Sequence, residues 1–209
     1  MEFTAIVLTG GPGAGKTQAA EILQKRLESD RLHVLVVPET ATRLILSGID
    51  PRHAISNQDF QKAQLQMQIF MEDLFRSNAS HLYKNQVLMI CDRGALDGEG
   101  FIDPAVFQAI LDELGLNRQE LLKRYDAVFH LETAAKSSRK LYTLKNNKAR
   151  KETADQAVEE DNQLIQTWSA HPCFQIIPAA ETVEEKMDRL EAQVRNLLKK
   201  RAESASDHQ

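Results

Sequence analysis

Apolar and polar positions along this chain switch between two periods. Short β-branched and aliphatic runs at about 3–8, 33–37, 87–91, 127–131 and 174–177 read as strands. Between them, apolar residues recur at three- and four-residue steps. This predicts helices over 16–29, 40–46, 57–79, 104–114, 118–124 and 154–170, and one from 183 to about 201. Helix starts carry capping signals: Ser56 with Asp59, Asp103 before Pro104, Thr153 with Gln156, and Thr182 with Glu185. The predicted buried stripes are Ala19, Ala20, Ile22, Leu23 and Leu27 in the first helix, and Phe60, Ala63, Met67, Phe70 and Leu74 in the long one. In the last they are Val183, Met187, Leu190, Val194 and Leu197. Residues 133–151 show no clean period, and 202–209 read as a polar, frayed tail. Strands alternating with helices predict an α/β fold, a three-layer α/β/α sandwich around a five-stranded parallel sheet. Residues 1–201 form one expected domain, with its ligand site outside the carboxyl ends of the strands.

The first strand runs into GGPGAGKT, where Gly10, Gly15, Lys16 and Thr17 fit the phosphate-loop pattern G-x-x-x-x-G-K-[ST]. A triphosphate needs several donors converging on a small volume. Glycines let successive amides turn inward, and the next helix adds its free N–H groups and positive dipole end. The expected nucleotide-binding residues are Gly10, Gly11, Gly13, Ala14, Gly15, Lys16, Thr17 and Gln18. Lys16 is expected at the β- and γ-phosphates and the Thr17 hydroxyl on Mg²⁺. A glycine-rich hairpin that happens to precede a lysine is the plain alternative. The position after a strand and before a helix favours the phosphate reading.

Asp92 ends the third strand, where a phosphate-loop protein places its second metal-directed acid; a turn-capping aspartate is the alternative. Arg93 offers a rigid fork to phosphate or to an acceptor hydroxyl, or else forms a surface ion pair. Glu39 follows the second strand and is placed to take a proton from an acceptor hydroxyl, to bind that hydroxyl, or simply to favour a helix start. GALDGEGF, with Asp97 and Glu99, reads as a mobile substrate-facing loop or a solvated turn. Gln61, Gln64, Gln68 and Glu72 form a polar stripe on the long helix, either surface residues or readers of a base or ribose. Lys136, Arg139, Lys140, Lys145, Lys148, Arg150 and Lys151 form a basic run free of acids. It reads as a lid over 133–151, with Arg139 and Arg150 on the transferred phosphate. The alternatives are a solvated loop or a site for anionic lipid headgroups.

Composition narrows this picture. A net charge of −4 disfavours broad nucleic-acid binding, and 42% hydrophobic residues suit a globular protein. No apolar run approaches the roughly 18 residues of a membrane span. The start of the chain lacks a basic, apolar leader, so a cytoplasmic location is expected. Cys91 and Cys173 are expected to be reduced and packed.

These residues resemble the phosphate-loop kinase superfamily. Glu39 after Pro38 resembles the glutamate motif of deoxynucleoside kinases, and Asp92-Arg93-Gly94 their acid-Arg-Ser motif with glycine for serine. A closer similarity is to the AAA-type ATP-binding domain family. That family contains the nicotinamide riboside kinase domain of bacterial NAD regulators and the nucleotide-binding domain of TRPL translocation defect proteins. CDRGALDGEGF, YDAVFHLETAA, LYTLKNNKAR and the run from Trp168 to Pro172 carry it. The resemblance implies a nucleoside-kinase-like architecture, ATP or GTP with Mg²⁺ as cofactors, a metal acid at Asp92 and a lid around 139–150. Ile177-Pro178-Ala179 departs from the acid-Asn expected after the fifth strand, and no Asn-Lys-x-Asp occurs to select guanine. The expected function is an ATP-dependent kinase transferring the γ-phosphoryl group to a small, nucleoside-like hydroxyl compound. Lys16, Glu39, Asp92, Arg93, Arg139 and Arg150 form the catalytic set. A nucleotide-gated binding module for a protein or phosphoinositide partner is the alternative.

Overall fold

The five apolar runs become β1 (Glu2–Thr9), β2 (Leu32–Val37), β3 (Gln86–Asp92), β4 (Ala127–Leu131) and β5 (Phe174–Ile177) of one sheet. This is a computed structural model that describes residues 2–82, 86–137 and 153–206. The strand order is β2-β3-β1-β4-β5, and all four pairings are parallel. Strands buried on both faces need near-continuous apolar sequence, which is why these runs stood out. In β1, Ile6 and Leu8 enter one core while Ala5 and Val7 enter the other.

The first core is closed by α1 (Lys16–Leu27) and α8 (Val183–Ser206), through Ala19, Leu23, Met187 and Leu190. The second is closed by α3 (Asn57–Ala79), α4 (Pro104–Leu114), α5 (Arg118–Leu122) and α7 (Ala154–Trp168). Short α2 (Thr40–Leu46) follows β2, and α6 (Ala134–Ser137) follows β4. Expected caps form: Ser56 Oγ accepts from Asp59 N, Asp103 Oδ1 from Ala105 N, and Thr153 with Gln156 makes a reciprocal capping box. Because β1 lies between β3 and β4, the loop leaving β1 is flanked by the carboxyl ends of both neighbours. That adjacency builds the site. No helix among the described residues is long and apolar enough to cross a membrane.

The structure corrects several expectations. The long helix has the expected bounds, and Phe60 of the expected stripe is buried, but further along the helix the stripe turns outward. Phe70 and Leu74 are 65% and 44% exposed, whereas Gln61, Gln64, Gln68 and Glu72 are buried. Leu65 supplies the apolar contact on that side, and partners among the buried turns satisfy the polar groups that matter below. GALDGEGF is not a solvated turn. Asp97–Phe101 is a 3₁₀ turn wedged between α3 and α7, with Asp97 fully buried. The last helix continues to Ser206, past its expected end, and Arg201 bonds Asp126 at 2.5 Å and the Phe3 carbonyl at 3.2 Å. Val183 and Cys173 are exposed, although both were expected to pack.

Trp168 explains the glycine that replaces serine after Asp92-Arg93. A Cβ on Gly94 would lie 2.7 Å from Trp168 Cζ2 and 2.9 Å from a Val7 methyl. Trp168 is itself fully buried, edge-on to Tyr125, with its Nε1 donating to Asp97 Oδ1 at 2.8 Å. Gly94→Ser is therefore expected to destabilise the fold by about 1–3 kcal/mol in urea titration. The penalty should shrink when Trp168→Phe makes room. An equal penalty in both backgrounds would contradict this packing account.

Candidate functional site

The loop between β1 and α1 closes with Gly10 at φ 139°, where a Cβ would meet the Leu131 carbonyl oxygen at 2.2 Å. Only glycine fits there. Helix α1 begins at Lys16 with no side-chain cap and no acid in its first turn. Its free amides and dipole end therefore remain available to an anion. Lys16 is buried and folds back on its own loop, its Nζ donating to the carbonyls of Gly10 at 2.7 Å and Gly11 at 3.2 Å. Burial, with Arg93 nearby, lowers its pKa to about 8 despite the surrounding carboxylates. The ammonium thus lies among the carbonyl dipoles of its own loop.

Asp92, at the end of β3, sits opposite Leu8 in the strand register. The Thr17 hydroxyl donates to its Oδ2 at 2.6 Å. Its other oxygen, Oδ1, is buried with no hydrogen-bond partner among the described residues. Burial raises the Asp92 pKa, opposed by Thr17 and Lys16. An orphaned carboxylate oxygen beside a hydroxyl is a hard-oxygen donor set that suits Mg²⁺. Among the described residues no group of three His, Cys, Asp or Glu side chains converges on one point. Mg²⁺ commonly binds through one or two carboxylates together with nucleotide phosphates.

Glu39 and Arg93 meet across the ends of β2 and β3. Arg93 Nε donates to Glu39 Oε1 at 2.6 Å, and Thr42 Oγ1 donates to Glu39 Oε2, also at 2.6 Å. Burial pushes the Glu39 carboxyl up, but Arg93, Thr42 and Lys16 outweigh it and hold the pKa at about 2. Arg93 also donates to Asp97 Oδ2 at 3.1 Å and lies 5.4 Å from the centre of the Phe101 ring. It is the one non-glycine residue with positive φ among the described residues, at 78°. Such backbone conformations persist where the surroundings over-determine them.

Two buried aspartates that received no role from the sequence hold this arrangement. Asp97 accepts from Thr9, Trp168 and Arg93, tying the end of β1 to α7 and to the guanidinium. Asp161 Oδ1 accepts from Gly11 N at 2.8 Å and Thr133 N at 3.1 Å, and its Oδ2 lies 2.7 Å from Lys136 Nζ. His130 Nε2 stands 3.1 Å from the same carboxylate. The Gly11 amide is thereby committed to Asp161. A signal for Asp161 was present: it is an acid within the apolar stripe Ala157, Leu164, Trp168 of α7. Lys186 Nζ adds a tie from α8, donating to the Ala14 and Glu132 carbonyls.

Lys16, Thr17, Glu39, Asp92 and Arg93 thus form one cluster, while Arg139 and Arg150 lie outside the described residues. Of the lid expected over 133–151, the described part, Thr133 to α6, packs against the phosphate loop through Thr133 Oγ1 on the Pro12 carbonyl. The glutamine stripe leaves no space for a base. Gln61, Gln64 and Gln68 face Gly94, Ala95 and Gly98 across a gap too tight for water. A cavity of about 760 Å³ opens on the other side of the 3₁₀ turn, bounded by Glu99, Phe101, Asp103, Arg118, Glu160 and Gln163. It meets the cluster at Phe101.

A family model described as an AAA domain matches residues 5–186. No curated protein matches the sequence. Among solved structures, thymidylate kinase from Ehrlichia chaffeensis superposes with a TM-score of 0.59 at 12% identity. The match covers 95% of this chain and 100% of that one. The shared architecture is the phosphate-loop α/β fold of a nucleotide kinase.

Asp161→Asn is expected to destabilise the protein by about 1–3 kcal/mol at neutral pH. The Asp161 pKa lies at about 2 in the fold; burial opposes the shift, and His130, Lys136 and the Gly11 amide outweigh it. A carboxyl with depressed pKa stabilises above its unfolded value and loses that contribution as pH falls through its folded value. The gap between wild type and variant in chemical denaturation should therefore close between about pH 4 and pH 2. A gap independent of pH would contradict the charge-based account.

Proposed function

The chain belongs to this AAA domain family, and on that footing we propose that it is a nucleotide-dependent kinase acting on a small hydroxyl compound. The observation that carries the proposal is the convergence at the ends of β1, β2 and β3: among the described residues, a lysine without an anionic partner on its ammonium, a carboxylate oxygen without a donor, and an ionised Glu39–Arg93 pair. In this reading the loop amides from Gly13 to Gln18 receive the phosphates of ATP or GTP. Lys16 neutralises charge on the β- and γ-oxygens. Thr17 and Asp92 would hold Mg²⁺, whose positive charge would offset the charge that develops on the phosphates.

Arg93 and Thr42 hold Glu39 ionised, so its role is to accept a hydrogen bond from the acceptor hydroxyl, aim its oxygen and receive its proton as the bond to phosphorus forms. Arg93 keeps Glu39 ionised and contributes positive charge beside the transferred group. Because Glu39 and Asp97 both engage Arg93, the acceptor end of the site suits a neutral hydroxyl better than a phosphomonoester. The acceptor body would pass Phe101 toward the polar cavity. Arg139 and Arg150 are proposed to reach the transferring phosphate. A cytoplasmic setting suits this chemistry. The rival gated-module reading relies on shape changes of the lid and of 97–101, and the burial of Asp97, Gly98 and Gly100 weighs against the second.

The test is phosphorus NMR of Mg-ATP and Mg-GTP with a panel of nucleosides and nicotinamide riboside. A phosphorylated product is expected, with transfer lowered at least about 100-fold in Lys16→Met while circular dichroism is unchanged. Normal turnover by that variant overturns the mechanism. Nucleotide bound but untouched across the panel would favour the gated module.

A further inference from the structure

We propose that Gln68 is a positioning residue that holds Glu39 and Arg93 in register, and that the buried polar face of α3 serves to fix its amide. This rests on the kinase reading for its catalytic consequence, but the contacts themselves stand apart from it.

Gln68 is 2% exposed, and its carboxamide has three partners. Its Nε2 donates to the Arg93 carbonyl at 3.0 Å and to Glu72 Oε1 at 2.9 Å. Its Oε1 accepts from Thr40 Oγ1 at 3.2 Å. Thr40 is the residue after Glu39, at the first position of α2. One side chain therefore reaches the backbone of one half of the ion pair and the immediate neighbour of the other half. The amide can face only one way. Turned over, its oxygen would meet two acceptors and its NH₂ group would meet the hydroxyl.

Glu72 enforces that direction. It is fully buried, and its Oε1 also accepts from Tyr125 Oη at 2.7 Å while Arg124 Nε donates to Oε2 at 2.8 Å. Tyr125 Oη in turn accepts from Ala95 N at 2.8 Å. The strained turn is thus held at the Arg93 carbonyl and at the Ala95 amide by two branches of one network. A third contact, from Arg93 N to the Leu8 carbonyl at 3.1 Å, ties it to β1. Buried ion pairs are rarely retained for stability alone, since a packed apolar stripe is often as stable. Here Phe70 and Leu74 lie outward while Gln68 and Glu72, in the same turns of the helix, are buried. What the polar face adds is the fixed position of Arg93 relative to Glu39. Misplacing a site group by about 1 Å lowers rates by about 100-fold.

The test uses the full chain labelled with ¹⁵N. Arg93 Nε–H, bonded to Glu39, should give a shifted, slowly exchanging side-chain resonance, assigned by its absence from Arg93→Lys. Gln68→Met and Thr40→Val are expected to move that resonance to the position of a free arginine while leaving Mg-ATP affinity unchanged. They should lower kcat about 100-fold with the nucleotide KM unchanged. Thr40→Val removes only one arm of the clamp, so it decides the matter if Gln68→Met fails to fold. An unchanged resonance in folded Thr40→Val overturns the proposal, and so does a lost resonance with full kcat. If the resonance is lost as expected but wild type transfers phosphate to no acceptor, the clamp stands and the kinase reading falls.

Discussion

The structure is organised around charge that the chain itself leaves incomplete. Among the described residues, Lys16 is buried at the start of α1 with only carbonyl dipoles of its own loop to receive its ammonium, and Asp92 has an oxygen facing no donor. Leaving such groups buried is costly unless something completes them. The sheet order makes the arrangement possible, because β1 delivers the loop between the ends of β3 and β4. Groups nearby support the loop, as Asp161 and Lys186 do, or meet one another at the strand ends, as Glu39 and Arg93 do.

Support comes from two buried aspartates on opposite sides of the loop. Asp161 reaches from α7 to the Gly11 amide and to the segment leaving β4. Asp97 joins the end of β1 to Trp168 and Arg93. Their negative charge near the proposed phosphate site is offset by Lys136 and Arg93 respectively, so structural and site electrostatics share the same residues. The site also faces a polar cavity across Phe101, while the opposite side of the 3₁₀ turn is closed by the polar face of α3.

Much of this was legible in the sequence where local physics decides. Strands buried on both faces announce themselves as apolar runs, caps sit where Ser56, Asp103 and Thr153 predict, and the phosphate loop has a spacing few other structures require. The clustering of Glu39, Asp92 and Arg93 was legible because each lies at or just beyond the end of a strand. The face of α3 was not, because periodicity identifies an apolar stripe without saying whether the core or solvent receives it. Asp97 looked like part of a glycine-rich loop, since its partners Thr9 and Trp168 are far away in sequence. Gly94 in place of serine made sense only once Trp168 was seen against it.

The central claim is that a nucleotide supplies the counter-charge Lys16 lacks. Calorimetry of Mg-ATP binding in buffers of different ionisation enthalpy measures this as proton uptake. With the free lysine at about 8, binding near pH 8 should take up part of a proton, and binding below about pH 7 almost none. The uptake should persist in Lys186→Met, whose lysine titrates in the same range. Binding without proton exchange at any pH, or uptake lost with Lys186, would contradict the account.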